Sequence, residues 1–136
     1  MGSRNNSDDE VVVVVGKGLS ALVVDDDPVA QMIHKVLLDR YGLRTQVAKN
    51  GEEAVVLCRS GARFDLVLMD KEMPVMDGVL ATRELREMGV ESTIVGVTSH
   101  GPEADMGAFM GAGLNDCFAK PLTPEIVYRI VNLLAI

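Results

Sequence analysis

The sequence predicts an α/β fold: a doubly wound, parallel five-stranded sheet with helices on both faces. Three observations carry this. Five short apolar runs alternate with five stretches whose apolar residues recur at helical spacing. The central runs are apolar throughout, the pattern of strands buried on both faces. Capping residues open the helical stretches and glycines follow most of them. The 136 residues, 48% of them hydrophobic, suffice for one domain with one core.

The elements follow in order. Residues 1–18 read as a flexible tail, with Ser, Asn and acids before Val11–Val15 and Gly-Lys-Gly. The alternative for the valine run is an extra edge strand. The domain proper spans residues 19–136. Leu19 to Val24 is the first strand. Asp27-Pro28 then caps and opens a helix whose Val29, Met32, Ile33, Val36 and Leu37 fall on one face, ended by Gly42. Leu43 to Ala48 is the second strand. Asn50-Gly51-Glu52-Glu53 resembles a capping box and opens a helix through Cys58, with Gly61 after it. Phe64 to Met69 is the third strand. Asp77 caps a helix carrying Ala81, Leu85 and Met88, closed by Gly89. Thr93 to Val97 is the fourth strand, and Pro102 to Ala112 a helix with Met106, Phe109 and Met110, the two methionines reading as core filler. Asn115 to Ala119 is the fifth strand. Thr123-Pro124 caps a last helix with Ile126, Val127, Ile130, Val131 and Leu134 on one face. Arg83, Glu84, Arg86 and Glu87 read as a solvated face, and His34 as a surface helix residue.

Five such β-α units in so short a chain favour strand order 2-1-3-4-5, the flavodoxin-like (βα)5 arrangement. Ligands then sit at the carboxyl ends of the strands, at the switch between strands 1 and 3.

Composition excludes several functions. Net charge is −7, with 20 acids against 13 bases, which argues against nucleic-acid binding through phosphate neutralisation. Aromatics are 4% and Trp is absent, so base-stacking platforms are not expected. The two cysteines, Cys58 and Cys117, form no CxxC pair and fit a reducing compartment. No apolar run approaches the roughly 18 residues of a membrane span. A cytosolic or nucleocytoplasmic protein is expected, with no membrane partner.

The strand ends carry the chemistry. Strand 1 ends in Asp25, Asp26 and Asp27, strand 3 in Asp70, strand 4 in Thr98, and Lys120-Pro121 follows strand 5. A single Asp after a strand is ordinarily a helix cap, which is the reading for Asp27. Asp25, Asp26 and Asp70 together would crowd three carboxylates at the switch point. A hard divalent cation relieves that repulsion, so Mg²⁺ (or Mn²⁺) is expected. Lys120 adds a compact charge suited to a phosphoryl oxygen, and Thr98 a hydroxyl donor. A carboxylate beside these groups is a site for phosphoryl transfer to an Asp side chain. His100, in the loop after strand 4, is a modulating residue or a plain loop residue.

These residues resemble the receiver domain of two-component response regulators. The matching segments are Leu22–Pro28, Phe64–Gly78, Val97-Thr98 and Lys120-Pro121; Ala48–Ala54 and Ile94–Ser99 add a likeness to plant type-C, single-domain regulators. The resemblance implies that Asp70 accepts a phosphoryl group from phosphohistidine. It implies that Asp25, Asp26 and Asp70 hold Mg²⁺ with the backbone carbonyl of Glu72, while Thr98 and Lys120 hold phosphoryl oxygens. The donor would be a histidine-containing phosphotransfer protein, charged by an upstream hybrid histidine kinase. The chain would be a signalling receiver, not an enzyme with another substrate, though it would catalyse its own phosphorylation and dephosphorylation. It would be a monomer or weak dimer.

Two positions depart from the family pattern. Cys117 stands where receivers usually carry Tyr or Phe, three residues before the lysine, and Glu72 stands where Asn is frequent. Both are modulating residues on this reading. No output domain is expected after the last helix. A phosphatase-like phosphate sink and a phosphorylation-independent docking module are the competing functions. A flavin carrier is disfavoured by the acidic first loop, and a haloacid-dehalogenase-type phosphatase by Glu72 where its second Asp belongs. The partner is expected to dock near Gln31, Met32, Lys35, Pro121 and Leu122.

Overall fold

The computed structural model describes residues 18–99 and 106–135. Tail residues 1–17, His100 and the expected helix start at Pro102 lie outside the described residues. Five strands and five helices alternate: β1 (Ser20–Val24), α1 (Pro28–Arg40), β2 (Arg44–Ala48), α2 (Gly51–Arg59), β3 (Leu66–Asp70), α3 (Gly78–Glu87), β4 (Thr93–Thr98), α4 (Met106–Gly111), β5 (Asp116–Ala119) and α5 (Pro124–Ala135). The sheet order is β2-β1-β3-β4-β5 and every pairing is parallel, as expected.

Side-chain alternation along the strands divides the core in two. Ala21, Val23, Leu66, Leu68, Val95 and Val97 face Leu38, Val127, Ile130 and Val131 of α1 and α5. Leu22, Val24, Val67, Met69 and Ile94 face Ala54, Val55, Ala81, Leu85 and Phe109 of α2, α3 and α4. Burial on both sides explains why β1, β3 and β4 read as continuous apolar runs. The edge strand β2 alternates, with Arg44 and Gln46 exposed.

The helix starts follow their expected caps. The Asp27 carboxylate accepts from Val29 N–H, Asn50 Oδ1 from Glu53 N–H, Asp77 from Leu80 N–H, and Thr123 Oγ1 from Ile126 N–H. Glu53 reaches back to Lys49 N–H rather than to the Asn50 N–H of a standard capping box.

Four expectations are corrected. In α1 the row Val29, Met32, Ile33 and Val36 is exposed, while His34 and Leu38 are buried. The helix carries two apolar stripes, and the one through Leu38 turns to the sheet, taking His34, one turn earlier, with it. His34 is therefore a core residue. Met88 and Met110 are exposed, because Leu85 and Phe109 already fill their helices' inner faces. Arg86 is half-buried and not part of a solvated face. Its guanidinium donates to the carbonyls of Gly113, Val90 and Ser92 and to Asn115 Oδ1, all at 2.8–2.9 Å. Burial lowers its pKa, and the charge is retained at neutral pH.

Candidate functional site

A parallel sheet brings the carboxyl ends of its strands to one edge, and the register sets what meets there. Val24 pairs with Met69, so the residues that follow them, Asp25 and Asp70, emerge side by side. Asp70 pairs with Val97, and Thr98 pairs with Ala119, the residue before Lys120. The expected cluster is thus assembled by pairing alone.

Asp25, Asp26 and Asp70 each offer a carboxylate oxygen, and these lie within 4.8 Å of one another. Asp25 and Asp70 are buried and Asp26 is exposed. Lys120 Nζ reaches Asp25 Oδ2 at 2.8 Å and Asp70 Oδ1 at 3.0 Å. Asp25 Oδ1 accepts from Asp27 N–H at 3.0 Å, so both of its oxygens are fixed. Thr98 is fully buried beside them. Burial pushes the Asp70 carboxyl up to about 6; Lys120 opposes this, and Asp25 and Asp26 add to it. Burial also works against the Lys120 charge, but its hydrogen bonds to Asp25 and Asp70 prevail and hold its pKa above the usual lysine value. One ammonium against three carboxylates leaves a net negative site of hard oxygen donors. That donor set fits Mg²⁺.

Backbone contacts hold the site's walls. Gly78 N–H donates to Lys71 O at 2.8 Å, and a Cβ on Gly78 would lie 2.1 Å from Asp70 O. Only glycine allows α3 to start this close to the end of β3. Lys71 N–H donates to Val97 O, which ties the residue after Asp70 to β4.

Of the other expected residues, Glu72 is exposed two positions beyond Asp70. Cys117 is half-buried on β5, its Sγ 3.3 Å from Met106 Sδ, so a sulfur contact to α4 stands at the usual aromatic position. Met32 and Pro121 are exposed. Lys35 pairs with Asp39 at 2.8 Å. Gln31 has a role not expected of it: its amide donates to Asp25 O at 2.6 Å. Leu122, expected on the partner surface, is buried in the α1–α5 core because the chain turns inward after Pro121.

His34 was missed as part of this environment. Burial lowers its pKa; Asp25 opposes the shift and Lys120 adds to it. Its spacing of three from Gln31 and four from Leu38 was the available signal. Among the described residues no helix is long and apolar enough to cross a membrane.

Comparison with known proteins agrees with this geometry. The family model for the response regulator receiver domain matches residues 21–132. Two-component response regulator 24 of Arabidopsis thaliana is 46% identical over 132 residues, covering 97% of this chain and 95% of that protein. Two-component response regulator ARR22 of Arabidopsis thaliana is 50% identical over 123 residues, covering 89% and 87%. Among solved structures, the receiver domain of sensor histidine kinase PA1611 from Pseudomonas aeruginosa, with a magnesium ion coordinated in its active site cleft, is 33% identical at a TM-score of 0.77, covering 87% of this chain and 98% of that one. The receiver domain of Saccharomyces cerevisiae Ssk1, co-crystallised with the histidine phosphotransfer protein Ypd1, has a TM-score of 0.79 over 88% of this chain and 90% of that one; at 24% identity the likeness is one of fold. The carboxylate cluster, the strand order and the match over nearly the whole domain agree: the chain belongs to the response regulator receiver domain family.

Proposed function

We propose that the protein accepts a phosphoryl group on Asp70 from a phosphohistidine, in a magnesium-dependent phosphorelay step. The observation that carries this is the bridge of Lys120 between Asp25 and Asp70 within a cluster of three carboxylates. Asp25, Asp26 and Asp70, with the Glu72 carbonyl, would hold Mg²⁺ (or Mn²⁺), which supplies charge neutralisation at the transferring group.

An Asp70 oxygen attacks phosphorus. The P–N bond to the donor imidazole breaks, its electron pair stays on nitrogen, and an aspartyl phosphate forms. Lys120 then exchanges its bond to the Asp70 carboxylate for one to a phosphoryl oxygen. Thr98 donates its hydroxyl to another. Hydrolysis reverses the charge state: water attacks phosphorus, the bond to Asp70 breaks, and carboxylate and inorganic phosphate are released.

The donor is a histidine phosphotransfer protein, charged in turn by a hybrid kinase. Helix α1 starts at Pro28, directly after Asp25–Asp27, and its exposed row of Val29, Met32, Ile33 and Val36 supports docking there. This revises the expected surface: Met32 and Pro121 stay on it, Gln31 and Lys35 border it, and Leu122 leaves it.

A phosphate-sink reading is favoured by one observation. Glu72 is exposed two residues after Asp70, and a carboxylate near the acceptor can orient an attacking water.

The test is label transfer from a phosphorylated histidine phosphotransfer protein in Mg²⁺. Wild type takes up label, and Asp70→Asn and metal-chelated wild type do not. Equal labelling of Asp70→Asn would overturn the assignment. The rate at which free phosphate then appears separates relay from sink.

A further inference from the structure

The edge of the sheet opposite the carboxylate cluster carries a cleft of about 750 Å³. Its walls are the starts of β1, β3 and β4 and the ends of α2, α3 and α5. Phe64, Val90 and Leu134 line it half-buried, and Met88 and Leu133 line it exposed. Leu134 packs against the core on the α1–α5 side, Phe64 and Val90 against the core on the other side. Both halves of the core thus come to the surface in this cleft. A concave, partly apolar surface of this size is a place for something to bind.

The chain before β1 supplies the occupant. Ser20 lines the cleft, and its N–H donates to Asp65 Oδ2 at 2.9 Å, so the point where the first residues join the fold is pinned at the cleft wall. Gly18, at φ 88°, turns the chain just before that point, a conformation that glycine takes without steric cost. Val15 is five residues before Ser20, so even a fully extended chain keeps it within about 17 Å of the wall. Val11–Val15 is five valines in succession, apolar on every side. A strand added beyond β2 would set alternate valines beside Arg44 and Gln46, on a face already open to water. The cleft offers apolar walls instead. Its rim also matches the charges that flank the run: Asp65 and Glu91 for Lys17 after it, and Arg63 for Asp8, Asp9 and Glu10 before it.

We propose that Val11–Val15 docks in this cleft of its own chain. The valines cover Phe64, Val90 and Leu133, and docking withholds from other molecules a run whose composition favours intermolecular β-pairing. The carboxylate cluster lies at the other end of the strands, so docking leaves it open. The inference is independent of the reading of Asp70 as acceptor.

Amide hydrogen exchange and methyl NMR on the full chain test it. In wild type the amides of Val11–Val15 should exchange at least about tenfold more slowly than in an unfolded chain. Cross-relaxation should connect their methyls to those of Met88 and Leu133. Two variants place a charge on either side of the contact: Val13→Asp in the run, and Leu133→Asp at a cleft residue 63% exposed, where a polar side chain leaves the core intact. Either should return the valine amides to unfolded-chain rates. Val13→Asp should also shift the resonances of Met88, Val90 and Leu133 and leave those of Asp70 and Thr98 in place. Unfolded-chain exchange in wild type would overturn the proposal. So would shifts confined to β2, which would make the run an edge strand. Valine contacts seen only between differently labelled molecules in a mixed sample would overturn it too, since the occupant would then be a second copy.

Discussion

Helices α1 and α5 pack on the same face of the sheet, and each carries an apolar row at spacings of three and four. They use those rows in opposite ways. In α5 the row is inside: Val127, Ile130 and Val131 are buried and Ile126 and Leu134 half-buried. In α1 the matching row is outside, and His34 and Leu38 take the inner positions. Periodicity identifies a helix and its stripes, but a helix with two stripes does not declare which one faces the core. The difference also separates two kinds of apolar residue. Those of α5 stabilise the fold, and those of α1 are the exposed surface proposed above for docking.

The largest expected effect lies in α5. Ile130 is 1% exposed and packs against both the sheet and its own helix neighbours. Ile130→Ala should destabilise by about 3 kcal/mol, the transfer term plus the cavity left behind. Urea denaturation measures it. A loss below about 0.5 kcal/mol would mean that the α5 row is no more structural than that of α1.

A smaller effect, confined to acid, tests the inner face of α1. The folded-state pKa of His34 lies below its ordinary value because burial disfavours the imidazolium. Between that depressed pKa and the unfolded value of about 6.5, the unfolded chain binds more protons. His34 therefore costs no stability above that window, and stability falls as pH drops through it. Asp70 has the opposite sign: its pKa is raised to about 6, so it makes stability fall as pH rises from about 4 to 6. The informative quantity is thus the difference between wild type and His34→Leu, which share Asp70. On going from about pH 7.5 to 5, wild type should lose stability relative to the variant. Parallel urea midpoints across that range would place His34 in solvent and return α1 to the orientation its periodicity suggested.

The site was more legible than the helix that borders it, for a physical reason. Asp25, Asp26, Asp70, Thr98 and Lys120 each sit at a strand end, and a parallel sheet of order 2-1-3-4-5 gathers strand ends at one edge whatever the helices do. Their juxtaposition needed only element boundaries and strand order. The burial of His34 depends on the rotation of α1 about its axis, which the apolar spacing leaves ambiguous. The role of Arg86 depends on contacts with Gly113 and Asn115, 27 and 29 residues away, which no local pattern records. Leu122 misled for a similar reason. It adjoins a site residue in sequence, but the chain after Lys120-Pro121 turns into the core.

The smallest stability effect should come from the outer row of α1, and there it is the contrast with function that decides. Met32 and Val36 are more than half exposed and one turn apart, on the same side of the helix. Met32→Ala with Val36→Ala removes apolar surface that the fold does not bury, and alanine is the better helix former at both positions. Stability should therefore stay within about 0.5 kcal/mol of wild type in either direction. Transfer from a phosphorylated histidine phosphotransfer protein should slow all the same, while labelling by acetyl phosphate should not. An unchanged rate from the protein donor would leave the α1 row without the partner that its exposure calls for. A loss of stability approaching that of Ile130→Ala would erase the distinction between the two helices.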